Sequence, residues 1–585
     1  MIRKGKARLS AGIVLGAASL VIPLVALTGS ASAAPSATGS AIYHGTPGSA
    51  KRLTQAGSIA SLPKVASSFG NEGPRVLTPV HARGTSTAGA ADAAASGAST
   101  MNGPKGTLRA FNGLSDLDQA NLNGGVAAGT VTPPDQGLCV GNDPTLAGRP
   151  KAVFEPINDA VRETSPSGKQ LRADANLAAL FQDPFAEGDV RCLYDQQTRS
   201  FYFTEIGFPV ATGPVVQPGD PLPYNTTVDV AVLNKNGIAD YQFDTSLGNT
   251  CFGDQPKAGF NNNALVVSTD EYCGTNEIEI GALAVVISKP QLIALAATVN
   301  DQLAGPVSLA GNPVVGMDPA IGTGTGKAYF VNSVPFLPDG SNNPVGDTLG
   351  LWTLTNSASV TTGVGTVTLT SKVLSSEPYA FPVPATSTGD GSVTTVDGTP
   401  VTSETALNPD DSRLSGTVEV TRGPGGIQLW TALSAALAPK GGGSTAVDGA
   451  AWFKINASTQ RIARQGYVTA KGANLIYPAL GVPKFGNPEM VFTITSKKIN
   501  PSAAYTALGS GKITTVAAGT GPHLSFSDAP PFNEPRWGDY SFAQPDPSGI
   551  GVWLATEYIP SAADQNPLDN WGTYVFEVNP LSFGH

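Results

Sequence analysis

Short apolar runs recur along most of the chain, separated by stretches rich in Gly, Pro, Asn and Asp. These runs lack the clean alternation of a half-buried strand, and they are too short for helices. They are typical of strands that are covered on both faces. The clearest examples are residues 201–204, 264–267, 328–331, 427–430, 490–493 and 552–555.

Each apolar run belongs to a longer unit that opens with a loop residue, usually Asp beside Pro or Arg. Successive anchor residues are 54, 65, 64, 93, 66 and 62 positions apart. The long interval contains a polar insertion, residues 385–403. A period of this size indicates repeated supersecondary units. The seven anchors are Asp135, Asp189, Asp254, Asp318, Asp411, Tyr477 and Asp539.

The repeat predicts an all-β fold, a seven-bladed β-propeller over residues 106–582. Blades packed against neighbouring blades are covered on both faces, as the apolar runs require. The last unit supplies only three strands, so we expect residues 107–111 to add the fourth and close the ring. The alternative is two or three β-sandwich domains in series. Such domains would need linkers between them, and the repeat continues without a linker.

Residues 1–33 have the features of an export signal. Four cationic residues are followed by an uncharged stretch, and Ala31 and Ala33 form a small-residue cleavage site. An uncleaved anchor helix is the alternative, but Pro23 late in the stretch favours cleavage. We therefore predict a signal peptide at 1–33, a disordered Ala/Ser/Gly/Thr-rich leader at 34–105, and a secreted product free of the membrane.

Charge limits the partners that this chain can have. The formal net charge is −10, and only 14% of residues are charged. An acidic chain lacks the electrostatic footprint for nucleic acid or an anionic membrane. We expect a monomer whose partner is an extracellular glycan or protein.

The four cysteines are Cys139, Cys192, Cys251 and Cys273. An even number in an oxidising compartment predicts two disulfides, and spacing alone leaves three pairings open. In the propeller arrangement, the first two lie on adjacent inner strands and the last two lie within one blade. The arrangement therefore favours the pairs Cys139–Cys192 and Cys251–Cys273.

Several chemistries are excluded by composition. His523 is the one internal histidine after the leader, in a polar loop where we expect it to be solvated. A Ser-His-Asp hydrolase needs a positioned imidazole, and zinc sites commonly need histidine. Paired cysteines leave no thiolate nucleophile. No phosphate-binding or dinucleotide motif is present.

Carboxylate, Tyr and Arg chemistry remains, and the propeller places these groups around one mouth of its channel. Hard oxygen ligands there could hold Ca²⁺, and a carboxylate pair could cleave a glycosidic bond. For any single anchor Asp we favour a structural role, capping its own loop. Trp537 and Trp571 could reach the surface as sugar platforms. The catalytic candidates are Asp411, Arg413, Arg536, Asp539, Glu557 and Tyr558, and the ligand-binding candidates are Asp189, Arg191, Asp254, Asp318, Tyr477, Trp537 and Tyr540.

A set of local motifs resembles a family of secreted bacterial proteins that have predicted β-propeller folds and no established activity. The motifs are PPDQG at 133–137, CFGDQP at 251–256, YPALG at 477–481, RWGDY at 536–540 and NWGT at 570–573. The resemblance covers nearly all of residues 107–580. It implies a propeller, export and a bacterial source, and it carries over no catalytic residue.

Two functions stay open at this point. The first is a binding or scaffold propeller that recognises a glycan or protein at its channel mouth, with Ca²⁺ as a candidate ligand. The second is a carboxylate-dependent glycan-cleaving enzyme, hydrolase or lyase, that uses the same face. An enzyme needs two carboxyl groups about 5 to 9.5 Å apart across an open cleft.

Overall fold

The apolar runs form the second strands of seven antiparallel sheets. The computed structural model describes residues 41–65, 75–76, 100–102, 107–125, 130–186, 188–207, 226–274, 277–336, 345–423, 425–438 and 446–581. All of them belong to one compact unit, residues 39–585. The predicted signal peptide at 1–33 lies outside the described residues.

The first three blades follow one another along the chain, and each is an antiparallel meander. Blade 1 has three strands in the described residues, and blades 2 and 3 have four. Their bounds are Cys139–Asn142, Lys151–Ile157 and Ala160–Thr164; Gly188–Asp195, Ser200–Gly207, Thr227–Asn234 and Gly237–Asp244; and Cys251–Phe260, Ala264–Cys273, Ile278–Ser288 and Thr298–Leu309.

Blades 4 to 7 repeat this meander, and the fourth strand of blade 7 comes from the N-terminal side of the chain. Their bounds are Asp318–Pro319, Ala328–Ser333, Val345–Thr355 and Thr368–Ala380; Glu419–Gly423, Gly426–Leu437, Val447–Asn456 and Arg461–Val468; Asn474–Gly481, Glu489–Ser496, Ile499–Ala507 and Lys512–Ala517; and Phe542–Pro545, Val552–Tyr558, Gly572–Val578 and Thr107–Ser115.

Ring closure follows the sequence prediction. Thr107–Ser115 pairs antiparallel with Gly572–Val578, with Phe111 opposite Val575. The strand covers an edge that would otherwise expose unpaired backbone groups. The seven-bladed propeller with an N-terminal closing strand is therefore confirmed.

The hydrophobic core is divided among the contacts between blades. Each pair of neighbouring blades buries its own apolar cluster, including the pair formed by blades 7 and 1. In that last pair, Leu138, Val140 and Val153 pack against Phe542 and Trp553. Burial at all seven contacts stabilises the closed ring, because no blade covers both of its faces alone.

Part of the predicted leader is ordered, which corrects the sequence prediction. Thr46–Ala56 pairs with the outer strands of both blade 2 and blade 3, and Ile42–His44 pairs with blade 4. Most side chains of Thr46–Ala56 are exposed. Its composition pointed to disorder because it buries little apolar surface. Backbone pairing with exposed strand edges orders it instead.

The remaining elements are short. The insertion folds as a hairpin, Val393–Val396 with Thr399–Ser403, and the second strand pairs with Leu524–Ser525. The other short strands are Arg75–Val76, Thr100–Asn102, Val131–Thr132, Asn312–Pro313, Ala385–Thr386 and Ala406–Leu407. The helices are Asp116–Leu122, Leu177–Phe181, Lys289–Ile293 and Ser359–Thr362, with 3₁₀ turns at Ile59–Ser61 and Ala562–Asp564.

Both favoured disulfides are present. Cys139 and Cys192 join the inner strands of blades 1 and 2. Cys251 and Cys273 are directly opposite in the ladder between the first two strands of blade 3. Two disulfides fit an oxidising compartment.

Candidate functional site

The inner strands share a backbone feature at the start of the blades. Asp135, Asp189, Gln255, Asp410 and Tyr477 all have left-handed φ values, between 46° and 57°. For residues other than Gly this conformation costs about 1–3 kcal/mol, and it persists where the surroundings require it. At this kink the ladder between the first two strands shifts register in blades 2, 3 and 6, which marks a bulge in each inner strand.

The anchor aspartates therefore do not occupy equivalent positions. Asp135 and Asp189 are themselves the left-handed residues, whereas Asp254 precedes Gln255 and Asp318 follows Gly316 by two residues. Tyr477, which replaces an Asp in the repeat, keeps the kink. Its hydroxyl donates to the Asn408 carbonyl at 2.7 Å.

Seven carboxylates surround the channel at this level, and we call them the acidic ring. All are at most 8% exposed. Asp270 comes from a second strand, and the others come from the inner strands or from the loops that lead into them. The members are Asp135, Asp189, Asp254, Asp270, Asp318, Asp411 and Asp539.

One asparagine connects the Asp135 carboxylate to the backbone amide of Asp189. Asn158 Nδ2 donates to Asp135 Oδ2 at 2.8 Å, and its Oδ1 accepts from the Asp189 amide at 2.8 Å. The other oxygen of Asp135 accepts from the Asp539 amide at 2.8 Å. These bonds join blades 1, 2 and 7, so they link separate blades, whereas the role that we predict for an anchor Asp is to cap its own loop.

Four cations lie among the seven carboxylates. Arg536 Nη2 donates to Asp539 Oδ1 at 2.6 Å, and Lys257 Nζ lies 3.1 Å from Asp318 Oδ1. The guanidinium carbon of Arg191 lies 3.4 Å from the centre of the Tyr540 ring. This stacking is a cation–π contact.

Arg413 makes the largest number of these contacts. Its Nε lies 2.8 Å from Asp411 Oδ2, and its Nη1 donates to Gln255 Oε1 at 2.8 Å. Asp270 Oδ2 lies 3.5 Å from the same Nη1, and Asp410 Oδ2 lies 3.3 Å from Nη2. Arg413 therefore joins blades 3 and 5 across the acidic ring.

Burial together with excess negative charge perturbs these carboxylates. Burial raises the pKa values of Asp135 and Asp254 well above the usual range, with neighbouring carboxylates adding to the shift. Burial raises the pKa of Asp539 to about 7, although Arg536 opposes the shift. It also raises the pKa of Glu557 to about 8. The acidic ring therefore retains protons at a pH where surface carboxylates are ionised.

Three ring members could hold a metal ion. One oxygen from each of Asp135, Asp189 and Asp539 lies within 4.8 Å of the others. Ligands at about 2.4 Å from a Ca²⁺ ion are at most about 4.8 Å apart, so the spacing fits. Asp189 Oδ1 is buried without a hydrogen-bond partner among the described residues. An oxygen in that state favours a cation or a proton.

The channel is nearly closed at the acidic ring. A small cavity lies there, with a volume of about 10 Å³. Its lining includes Gln255, Asp411, Arg413, Tyr477 and Asp539. That volume is about what one water molecule needs. A sugar ring does not fit there in this conformation.

Three other sequence candidates, Tyr558, Trp537 and Trp571, are buried. The Tyr558 hydroxyl donates to Asn112 Oδ1 of the closing strand at 2.9 Å. Trp537 Nε1 donates to Thr493 Oγ1 at 3.2 Å. Trp537 and Trp571 are both fully buried, so the expectation that they form exposed sugar platforms is wrong.

The prediction that His523 is solvated is also wrong. The side chain is fully buried between two carboxylates, with Nδ1 3.2 Å from Glu404 Oε2 and Nε2 2.8 Å from Asp569 Oδ1. Burial alone would lower its pKa, but the two carboxylates raise the pKa to about 10. We call these three residues the His523 bridge. The histidine is held as an imidazolium between two acceptors, and neither nitrogen is available as a general base.

A much larger cavity lies at the opposite ends of the inner strands. It has a volume of about 790 Å³, and we call it the open-mouth cavity. Gly188–Asp195 runs from the acidic ring toward it, about 20 Å at the usual rise per residue. Sequence reasoning missed this cavity because strand ends and turns from five blades form it, without a repeated motif. Its lining includes Cys192–Tyr194, Gln196, Ile321, Gly322, 419–422, 482–484 and 542–549.

Comparisons with known proteins give no family. No family model matches the chain, and no curated protein matches it. The resemblance to secreted bacterial propeller proteins therefore stays a prediction.

Three solved structures that resemble this protein match it over most of their own length. They are a protein of unknown function from Dyadobacter fermentans (7% identity, TM-score 0.30, 68% of this chain and 95% of that one), an α-L-arabinanase from Penicillium chrysogenum with arabinobiose (11%, 0.32, 68% and 97%), and a GH43_1 enzyme from Xanthomonas citri (11%, 0.26, 55% and 87%). Identities and TM-scores this low say nothing about function.

Among the described residues, no helix has the length and apolar character needed to cross a membrane.

Proposed function

We propose that this protein is a secreted binding propeller that recognises an extracellular glycan or protein ligand at the open end of its channel, with Ca²⁺ held in the acidic ring. The observation that supports the binding role is the contrast between the two ends. One end has a cavity of about 790 Å³, and the other has about 10 Å³. Ligand pockets usually have volumes of about 300–1,000 Å³.

The chemistry around the open-mouth cavity supports binding rather than cleavage. Its acidic lining residues are Glu419 and Asp546. Both oxygens of Asp546 are engaged, by Lys151 at 2.7 and 3.0 Å and by Trp553 Nε1 at 2.8 Å. Glu419 is 3% exposed and accepts from the Thr417 hydroxyl at 3.3 Å. Cleavage of a glycosidic bond needs two carboxyl groups that reach the sugar.

A calcium ion in the acidic ring would have a structural role. Asp135, Asp189 and Asp539 come from three blades, so one ion bound to all three would hold blades 1, 2 and 7 together. Calcium accepts oxygen ligands in flexible geometry, which suits carboxylates fixed by their loops. The ion would take the place of protons that burial otherwise retains on these groups.

Glycan cleavage at the acidic ring is the second candidate, and one observation favours it. The pKa of Asp539, raised to about 7 by burial, suits a general acid near neutral pH. The same burial leaves no room for substrate, so this function requires the ring to open. An Asp539→Asn variant that abolishes product release from a bound glycan would favour the enzyme over the binding protein.

Calcium binding can be tested by thermal unfolding of the full chain at pH 8, with EDTA and with added Ca²⁺. The variant is Asp189→Asn, and the matched control is Asp240→Asn, a buried carboxylate outside the acidic ring. Calcium at a hundred times its Kd should stabilise wild type and the control by about 2.7 kcal/mol, and Asp189→Asn much less. An equal shift in all three proteins, or none in wild type, would remove Ca²⁺ from the proposal.

The binding role is tested by screening the same protein on a glycan array with and without EDTA, followed by product analysis for each hit. We expect retained glycan without new reducing ends. New reducing ends that disappear in Asp539→Asn would establish the enzyme. A protein that retains no glycan on the array and no extracellular protein ligand would contradict the binding function.

A further inference from the structure

A second cavity adjoins the open-mouth cavity and extends it sideways. We call it the side groove; its volume is about 550 Å³. Tyr194, Gln196 and Pro547 line both cavities. The side groove runs between turns of blades 1 and 2, and together the two cavities offer far more room than one small anion needs.

The lining of the side groove is cationic in an acidic protein. Arg149, Arg199 and Lys235 are exposed and line it, and no carboxylate is among the described lining residues. None of the three forms a salt bridge to a described residue, in a chain with a formal net charge of −10. Like charges gathered without counterions raise the local potential for an anion.

Neighbouring carboxylates do not neutralise this patch. Asp546 is paired with Lys151 at 2.7 Å, and Asp195 is paired with Lys289 at 2.9 Å. Burial raises the pKa of Glu419, in the open-mouth cavity, to about 8. These three acids therefore contribute little negative charge at neutral pH.

The three cationic turns are held in place by side-chain bonds. Asn142 Nδ2 donates to the Arg149 carbonyl at 3.0 Å. Asp195 Oδ1 accepts from the amide of Gln197, two residues before Arg199, at 2.9 Å. Asn234, next to Lys235, donates to the Ile293 carbonyl at 3.0 Å. Fixed turns reduce the ordering cost when a ligand binds.

We propose that the side groove binds an anionic glycan, one that carries carboxylate or sulfate groups, and that the bound chain continues into the open-mouth cavity. This inference rests on the proposed binding function and specifies its ligand class. Arg149, Arg199 and Lys235 pair with the anionic groups, and Gln196, Thr198 and the turn backbone bond the hydroxyl groups.

The test measures binding of the full chain by calorimetry in low salt. The probes are a galacturonic acid tetramer, a sulfated tetrasaccharide, a neutral galactose tetramer, a single-stranded DNA tetramer and inorganic phosphate. We expect the uronate or the sulfated sugar to bind at least about tenfold more tightly than the neutral sugar, and this preference to disappear in 0.5 M salt.

Two matched variants locate the site. The triple variant Arg149→Ala, Arg199→Ala and Lys235→Ala should weaken binding of the anionic sugar about tenfold or more, because it removes three exposed ion pairs. The control Lys372→Ala, Arg461→Ala and Lys471→Ala removes the same charge from exposed positions outside both cavities. It should leave affinity within about twofold.

The failures of the two proposals differ. Equal binding of neutral and anionic sugars, or equal weakening in both triple variants, overturns the anionic-glycan site but leaves a binding propeller. Phosphate or the DNA tetramer binding as tightly as the anionic sugars also overturns it. Absence of binding to every sugar overturns the anionic-glycan site, and it overturns the binding function as well when the array and the search for an extracellular protein ligand are also empty.

Discussion

Replacement of the buried histidine should be among the most destabilising single changes in this protein. In the His523 bridge, both ring nitrogens contact carboxylates, and all three side chains are fully buried. Hydrogen bonds to charged groups contribute about 1.5–3 kcal/mol each. Removing the cation from a buried ion pair costs about 3–5 kcal/mol, because the remaining charge is left uncompensated. Burial raises the pKa of Glu404 to about 8, so protonation of Glu404 relieves part of this cost at pH 6. We therefore expect His523→Gln to lower the free energy of unfolding by about 3 kcal/mol at pH 6.

The effect should depend on pH in a defined direction. The folded protein raises the pKa of His523 from 6.5 to about 10. A raised pKa stabilises the fold fully below the unfolded value, and this contribution is lost as pH rises through the folded value. The difference between wild type and His523→Gln should therefore be largest near pH 6 and should shrink toward pH 10.

Urea unfolding followed by tryptophan fluorescence measures both quantities. Trp537 is a local reporter, since its ring centre lies 4.9 Å from that of His523. His44→Gln is the control, because His44 is exposed on an edge strand, and we expect it to change stability by less than about 0.5 kcal/mol. An unchanged urea midpoint in His523→Gln at pH 6, or a cost that does not vary between pH 6 and pH 10, would refute the bridge as a charged contact.

Two further predictions concern the whole fold. Burial raises the pKa values of Asp539 and Glu557 to about 7 and about 8. Their contribution to stability is therefore complete below pH 4 and is lost as pH rises through 7–8. Calorimetry in EDTA should show a lower unfolding temperature at pH 9 than at pH 5, and an unfolding temperature that does not change with pH would contradict this. Deletion of residues 41–65 exposes the outer edges of Gly237–Asp244 and Thr298–Leu309. The shortened protein should still close its ring, but it should unfold at a lower temperature in calorimetry and aggregate more, as measured by light scattering. An unchanged unfolding temperature and unchanged scattering would show that Thr46–Ala56 contributes nothing.

Sequence reasoning reached the fold because the repeat is local. Apolar runs of four residues, spaced by turns, report strand positions without knowledge of their partners. The missing strand of the last unit then indicated residues 107–111, which lie within the observed strand Thr107–Ser115, and the ring placed Cys139 beside Cys192. The same reasoning failed for Thr46–Ala56, because backbone pairing at an edge leaves little trace in side-chain composition.

The candidate site was less accessible to this reasoning. The anchor aspartates were found, but their burial, the metal-sized spacing of three of them and the closed channel depend on how seven blades pack. The open-mouth cavity and the side groove are built from strand ends and turns without any shared motif. Arg149, Arg199 and Lys235 are 86 positions apart at most and carry no pattern that would bring them together.

The amino-acid sequence by itself determined the strands, their seven-fold repetition, the closing segment and the two cysteine pairs, because each follows from local pattern plus one rule of ring closure. Tertiary structure alone decided which polar groups are removed from water. Glu404 and His523 are 119 positions apart, yet they meet in the interior. Protonation, ion pairing and cavity shape depend on such distant contacts, since burial and electric field are properties of the packed whole.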